Sequence, residues 1–248
     1  MLVSGGGTTM EAVLKAINSG FLSRITPALV IASKEGIGAI DKAHAHGVLP
    51  EDITVIRRKD YDTYEEAFGE AILHECQNRG VDFIGQYGWL VKTPTNVIAA
   101  YPNMIVNQHP GPLDPGLPDF GGLGMYGRRV HCARLLFVRE TARPEHHYPE
   151  YAYWDHHFTE AVCHRVSPEY DKGALIKRTT IPINPDDTVE SLQERVLPYE
   201  HMVQIETLRD FSNGEVKERP RRKPLIRPED YHILKRAKEI AIKLYPKG

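Results

Sequence analysis

Asn107 and His109 stand two apart at the end of an apolar run, Met104–Asn107, that opens into a Pro/Gly-rich stretch, Gln108–Gly127. In extended backbone, side chains two apart leave the same face. An amide and an imidazole aimed at one point suit acyl transfer. The amide N–H can stabilise an oxyanion, and the imidazole can give or take a proton near neutral pH. The same pair can also serve plain structural hydrogen bonding at a strand end. A second candidate is the turn Tyr170-Asp171-Lys172-Gly173, which follows an apolar run containing His164. An Asp there either caps local backbone or, buried against a histidine, raises the imidazole pKa and relays protons. A third is Gly5-Gly6-Gly7-Thr8-Thr9. Glycines let backbone N–H groups approach a phosphate, and a helix N-terminus adds partial positive charge. This run lacks the G-x-G-x-x-G spacing of dinucleotide sites and the Lys of a P-loop, so a tight strand-to-helix turn explains it equally well.

These residues need a scaffold, and the first half of the chain supplies one. Strands are predicted at Leu2–Ser4, Pro27–Ser33, Asp52–Ile56, Val81–Gly85 and Met104–Asn107, and helices at Met10–Ser19, Ile37–His46 and Tyr64–Arg79. Strands separated by helices of that length imply right-handed βαβ units and a mostly parallel sheet. In such sheets ligands bind beyond the carboxyl ends of the strands, which is where the glycine loop and Asn107-x-His109 fall. The first strand is short against the usual five or six or so residues, which leaves open a late start or a thin sheet edge. Beyond the Pro/Gly loop, Arg128–Val138 reads as a helix leading into a strand. Strands follow at Thr159–Val166 and Lys177–Ile183, then a long helix at Thr188–Ser212. A basic linker, 214–227, leads to a terminal helix, Pro228–Leu244, with an expected apolar stripe of Ile233, Ala237, Ile240 and Leu244. The organisation read from this is a domain over 1–215, with lobes of about 1–100 and 101–215 and an inserted flap at about 139–158, and a basic linker and helix over 216–248.

Composition narrows the function classes. The chain has 248 residues, 41% hydrophobic and 26% charged, which is ordinary for a globular protein. No apolar run approaches the roughly 18 residues of a membrane span, and the opening MLVSGGG has no signal-peptide pattern. Cys76, Cys132 and Cys163 are scattered without C-x-x-C spacing, which argues against a disulfide scaffold or zinc site and for a reducing, cytoplasmic setting. The net charge of −2 hides an asymmetry. Residues 217–248 hold eleven Lys/Arg and four Asp/Glu, giving +7 and leaving −9 for the rest. No aromatics interleave the basic run to stack bases, so it reads as a solvated tail and surface helix on an acidic body rather than a nucleic-acid site. The stretch 143–157 contains His146, His147, His156 and His157 among Tyr148, Tyr151, Tyr153 and Trp154. It reads as a lid and not a metal site, because adjacent histidines rarely ligate one ion together.

Five segments, taken in order, resemble the glycinamide ribonucleotide formyltransferases, a branch of the folate-dependent formyltransferase superfamily. They are L-V-S-G-G-G-T at Leu2–Thr8, V-N-Q-H-P-G-P-L at Val106–Leu113, H-R-V-S-P-E-Y-D-K-G at His164–Gly173, D-D-T at Asp186–Thr188 and E-R-V-L-P-Y-E-H at Glu194–His201. The resemblance covers residues 2 to about 215. It implies a Rossmann-like α/β fold, here carrying the flap and the C-terminal helix as additions. It implies formyl transfer in purine biosynthesis, from 10-formyltetrahydrofolate as co-substrate to the amine of glycinamide ribonucleotide, with no metal. Asn107 and His109 would stabilise the tetrahedral intermediate, and Asp171 would orient His109 and relay the proton. Gly5, Gly6, Gly7, Thr8 and Thr9 would bind the substrate phosphate, Glu200 the ribose, and Trp89, Leu90, Val91 and Lys92 the pterin of the folate. The expected partners are these small molecules, in a monomer or homodimer with neither membrane nor nucleic acid.

The sequence departs from that family at Thr9, where Asn is usual, at Gln86-Tyr87-Gly88-Trp89, in the loop after His109, in the flap and in the last helix. These changes bear on substrate identity more than on reaction type. Alternatives are therefore a formyl-folate hydrolase, a formyltransferase for another amine such as an amino sugar nucleotide, or a silent ligand-binding paralogue that docks on RNA or a partner through the basic tail.

Overall fold

The computed structural model describes residues 1–141 and 157–248. The histidine-rich stretch therefore lies outside the described residues, apart from His157. The first half follows the expected alternation: β1 (Leu2–Val3), α1 (Thr8–Asn18), β2 (Val30–Ala32), α2 (Gly38–Ala45), β3 (Ile53–Val55), α3 (Glu70–Asn78), β4 (Ile84–Gln86), α4 (Thr95–Ala100) and β5 (Ile105–His109). Then come α5 (Arg128–Thr141), β6 (Phe158–Arg165), β7 (Leu175–Pro182), α6 (Val189–Asn213) and α7 (Tyr231–Leu244). Seven strands form one mixed, mostly parallel sheet in the order β3-β2-β1-β4-β5-β6-β7, with parallel pairs β2–β3, β1–β2, β1–β4 and β4–β5.

Two compact units divide the chain. The first comprises Met1–Gln108, His164–Pro168 and Gln204–Lys217. Its strands bury both faces, as parallel strands between helices must. Leu2, Ile31, Ile84 and Ile105 join one core with Ile72, Leu73, Cys76 and Val97 of α3 and α4. Their neighbours Val3, Val30 and Ala32 join the other core with Met10, Val13 and Leu14 of α1 and Ala39 and Ala43 of α2. Adjacent strand residues thus alternate between two apolar layers.

The second unit comprises His109–Cys163, Glu169–Val203 and Glu218–Gly248. Its main core joins α5 (Val130, Ala133, Phe137) to α7 (Ile233, Leu234, Ala237, Ala241), with Phe120 and Ile226 packed between. Arg134 is buried among aromatic rings, its guanidinium 4.9 Å from the centre of Phe120 and 5.0 Å from that of Phe158. Burial pulls its pKa down to about 9, opposed by Glu160.

Several expectations need correction. The short first strand is not a sheet edge: β1 lies inside the sheet between β2 and β4. The segment expected as one helix at Tyr64–Arg79 opens with a π-helical turn, Tyr64–Gly69, before α3. β4 lies at Ile84–Gln86 and not Val81–Gly85, and α4 was not expected. All of Arg128–Val138 is helical, within an α5 that runs on to Thr141. In α7 the buried stripe is Ile233, Leu234, Ala237 and Ala241, while Ile240 and Leu244 are exposed. The small residues face α5 because they allow close helix approach. Residues 214–227 form an ordered strap. The Arg219 N–H donates to Leu175 O at 2.7 Å, the Leu225 N–H to Asp114 Oδ2 at 2.7 Å, and Arg221 Nε to Leu113 O at 2.7 Å.

Candidate active site

In the first unit the strand ends deliver two candidate features. Gly7 has φ 67°, and a Cβ there would lie 2.6 Å from Ala39 Cβ. Only glycine fits this close approach of the first turn to α2. Gly5 and Gly6 differ: a Cβ on either would meet nothing within 4 Å, and both are exposed. The loop therefore has an open lip at the N-terminus of α1, and no packing reason explains its first two glycines. Thr8 is exposed on that lip, whereas Thr9 is buried. Nearby, Gly88 turns the chain with φ 74°. Ser4 fastens this turn, with its N–H donating to Gly88 O at 3.1 Å and its Oγ accepting from the Leu90 N–H at 3.0 Å. Trp89 is buried, and its Nε1 has no hydrogen-bond partner among the described residues. Leu90 beside it is 53% exposed, and Val91 is half-buried. The Lys92 side chain is exposed, and its carbonyl accepts from the Tyr64 hydroxyl.

Asn107, on β5, pairs with a residue the sequence pattern did not assign a role. Its Nδ2 lies 3.4 Å from His164 Nε2. His164 Nδ1 donates to Arg165 O at 2.8 Å, which leaves Nε2 as the acceptor. One Asn107 N–H is thereby committed to the histidine, which orients the amide, and the second N–H is given no partner by the described residues.

In the second unit His109 is buried at the end of β5. Its Nε2 lies 3.3 Å from Phe120 O and its Nδ1 3.7 Å from Asp171 Oδ2. Asp171 has φ 57°, a left-handed conformation that Asp tolerates better than most residues. Its Oδ2 also accepts from the Gly122 N–H at 2.8 Å. Both ring nitrogens of His109 thus face acceptors, and the ring is placed to donate. A second buried imidazole, His131 on α5, neighbours it. Burial first, and His109 second, push its pKa down to about 3, and its Nδ1 has no partner among the described residues. His131 therefore stays neutral at ordinary pH.

The loop after His109 is built around Asp119. Its carboxylate accepts the N–H groups of Asp114 and Gly121, both at 2.9 Å, and pairs with Lys172 at 3.2 Å. Lys238 of α7 donates to the carbonyls of Asp119 at 3.0 Å and Gly121 at 2.5 Å. Glu200 on α6 is buried, and burial alone pushes its carboxyl pKa up to about 7.

The structure thus brings His109 to Asp171 within the second unit and Asn107 to His164 within the first. Around the His109–Asp171 pair, the second unit also places His131, Asp119, Lys172 and Lys238, none of which sequence reasoning singled out. Only Lys172 carried a signal, as the neighbour of Asp171 in the same turn. The others are recruited over long sequence separations.

No family model matches the chain. A phosphoribosylglycinamide formyltransferase of Arabidopsis thaliana chloroplasts is 26% identical over 94% of this chain and 72% of its own length. The corresponding protein of Vigna unguiculata is 27% identical, and the chain spans 93% of itself and 65% of that protein. A crystal structure of glycinamide ribonucleotide transformylase 1 from Symbiobacterium toebii superposes with TM-score 0.68 and 28% identity, covering 86% of each chain. The relatives of this chain are phosphoribosylglycinamide formyltransferases. A second such transformylase structure, from Geobacillus kaustophilus, gives TM-score 0.67 and 27% identity over 85% of this chain and 95% of that one. Sequence and fold thus name the same formyltransferases over most of the chain.

Proposed function

We propose that this chain transfers a formyl group from 10-formyltetrahydrofolate to the amine of glycinamide ribonucleotide. The observation that carries the reading is the His109–Asp171 pair at the carboxyl end of β5, in a chain whose relatives bear the formyltransferase name. When the amine adds to the formyl carbon, negative charge gathers on the former carbonyl oxygen. The N–H that Asn107 does not give to His164 donates to that oxygen, and His109 supplies a proton. One such donor is worth about 2.7–4 kcal/mol. Asp171 holds the ring and helps carry the amine proton towards the leaving folate nitrogen. Proton transfer by a positioned group contributes about 10²–10⁴-fold.

Gly5, Gly6, Gly7 and Thr8 bind the substrate phosphate on backbone N–H groups. Thr9, being buried, supports that loop from below. Glu200 accepts a ribose hydroxyl. Trp89, Leu90, Val91 and Lys92 receive the pterin. A buried indole with an unused donor beside an exposed leucine fits a flat ring with polar edges. The chemistry calls for no metal. The three cysteines are buried and form no disulfide among the described residues, which suits a reducing compartment, and we place the protein in the cytoplasm.

The test is absorbance of the folate product as the two substrates are mixed, with His109→Ala and Asp171→Asn in parallel. Turnover that collapses in both variants is expected. Folate turnover without the amine would make the chain a formyl-folate hydrolase. Binding of folate without any turnover would leave the fold and remove the acceptor.

A further inference from the structure

We infer that Lys238, carried by the C-terminal helix α7, is a positioning residue for the His109–Asp171 pair, so that the basic C-terminal segment is a working part of the active site. The inference rests on the function proposed above and adds a residue to it. The stretch Asp119-Phe120-Gly121-Gly122 is a hub. The Phe120 carbonyl faces His109 Nε2 at 3.3 Å. The Gly122 N–H donates to Asp171 Oδ2 at 2.8 Å. The carbonyls between and before these groups, those of Gly121 and Asp119, both accept from Lys238 Nζ. One ammonium therefore holds the peptide that touches the histidine on one side and the aspartate on the other.

Room at the hub is tight. A Cβ on Gly121 would lie 2.5 Å from Leu113 and 2.7 Å from Asp171 Cβ, so small displacements of this backbone reach the aspartate directly. A second clamp fixes the far end of the loop. Arg129 of α5, which is buried, donates to Gly124 O at 2.8 Å and to the carbonyls of Tyr245 and Pro246, both at 2.7 Å. The apolar stripe of α7 anchors the helix on α5, which makes the lysine a rigid strut and not a surface charge. The charged and titratable groups around the pair include, among the described residues, Asp119 from the loop, Tyr170 and Lys172 from the turn, His131 from α5 and Lys238 from α7.

The test compares wild type with Lys238→Met, Lys238→Cys and the exposed control Lys235→Met on the full chain. The Lys238→Cys protein is assayed before and after aminoethylation, which restores an ammonium at nearly the same reach. The three native cysteines are buried, and wild type treated with the same reagent is the control. A tenfold or larger loss of kcat with KM changed less than threefold is expected for Lys238→Met. Aminoethylation should recover most of that loss, and Lys235→Met should match wild type. In parallel, the imidazole nitrogen shifts of His109 are read by NMR, assigned through His109→Gln, with no substrate present. A changed tautomer pattern or exchange broadening in Lys238→Met is expected. Unchanged His109 shifts in a folded Lys238→Met protein overturn the inference whatever the activity. Changed shifts in Lys238→Met, alongside a wild type that does not formylate the amine, uphold the positioning role and remove the proposed function instead. Loss of fold in Lys238→Met shifts the decision to the aminoethylated protein, where failure to recover both kcat and the wild-type shifts counts against the inference.

Discussion

The two units hold their candidate residues by different means. In the first, the glycine lip and Asn107 sit at the ends of short parallel strands, and their supports are mostly backbone groups and short side chains: Gly7 against α2, Ser4 on the Gly88 turn. In the second, His109 and Asp171 depend on a loop tied down by side chains from far along the chain. Arg221 reaches Leu113, Lys238 reaches Asp119 and Gly121, and Arg129 reaches Tyr245. The first arrangement tolerates change wherever the backbone is open. The second transmits change at a distance, because one displaced strut moves a loop that two functional groups share.

The sharpest way to break this contrast is at the proposed proton carrier. His109→Ala should lower kcat/KM by about 10²–10⁴-fold, while Gly6→Ala should fold normally and raise KM for the phosphorylated substrate with kcat nearly kept. Steady-state kinetics on both variants checks this. If Gly6→Ala left KM untouched, the lip would be only a turn.

Next in size is the buried ion pair that fixes the strap. Arg221 forks onto Glu160, whose side chain is 3% exposed. Arg221→Met strands that carboxylate and should cost about 3 kcal/mol, read by urea unfolding. A cost below about 1 kcal/mol would mean that Arg178, 3.7 Å away, takes over the pairing.

Glycine positions give a finer comparison. Gly7→Ala meets both a positive φ and Ala39, and should lower stability more than activity per folded molecule. Gly121→Ala, pressed against Asp171 Cβ, should do the reverse. Thermal unfolding and kinetics on folded protein separate the two, and identical profiles would erase the distinction between the units.

A pH dependence comes from Glu200. Burial raises the Glu200 pKa to about 7 from its ordinary 4.5. Below about 4.5 the group is protonated folded or unfolded and costs nothing. Between about 4.5 and 7 the unfolded chain ionises while the folded one does not, so stability falls as pH rises, and above 7 the full cost remains. That cost is on the order of 3 kcal/mol at most. Glu200→Gln should therefore melt above wild type at pH 8 by a few degrees and match it near pH 4.5. A difference independent of pH would contradict the buried carboxyl.

The same contrast decides what could be read from the sequence. Periodicity exposed the alternating strands and helices of the first unit, since Val13, Leu14 and Ile17 repeat with a helix period and Pro27–Ser33 is a buried-strand run. It also placed Asn107, His109 and Asp171 at strand ends or in turns. It failed where partners are distant. Lys238 sits 119 positions from Asp119, so nothing local marks it as different from Lys235. His164 was visible as part of a strand, but its pairing with Asn107 depends on two strands meeting in the sheet. The stripe of α7 was misread because Ile240 and Leu244 are apolar yet face away from α5, while the contact uses Ala237 and Ala241. Hydropathy ranks isoleucine over alanine, and helix packing at close range does not.

The proposal turns on Asn107 and His109, two positions apart on β5, acting on one formyl group. A double-mutant cycle tests it most directly, with kcat/KM for formyl transfer measured in wild type, Asn107→Ala, His109→Ala and the double variant. Groups serving one transition state are strongly non-additive. The account predicts a double variant scarcely slower than the worse single one. Losses that multiply in full would show the two residues acting independently and contradict it.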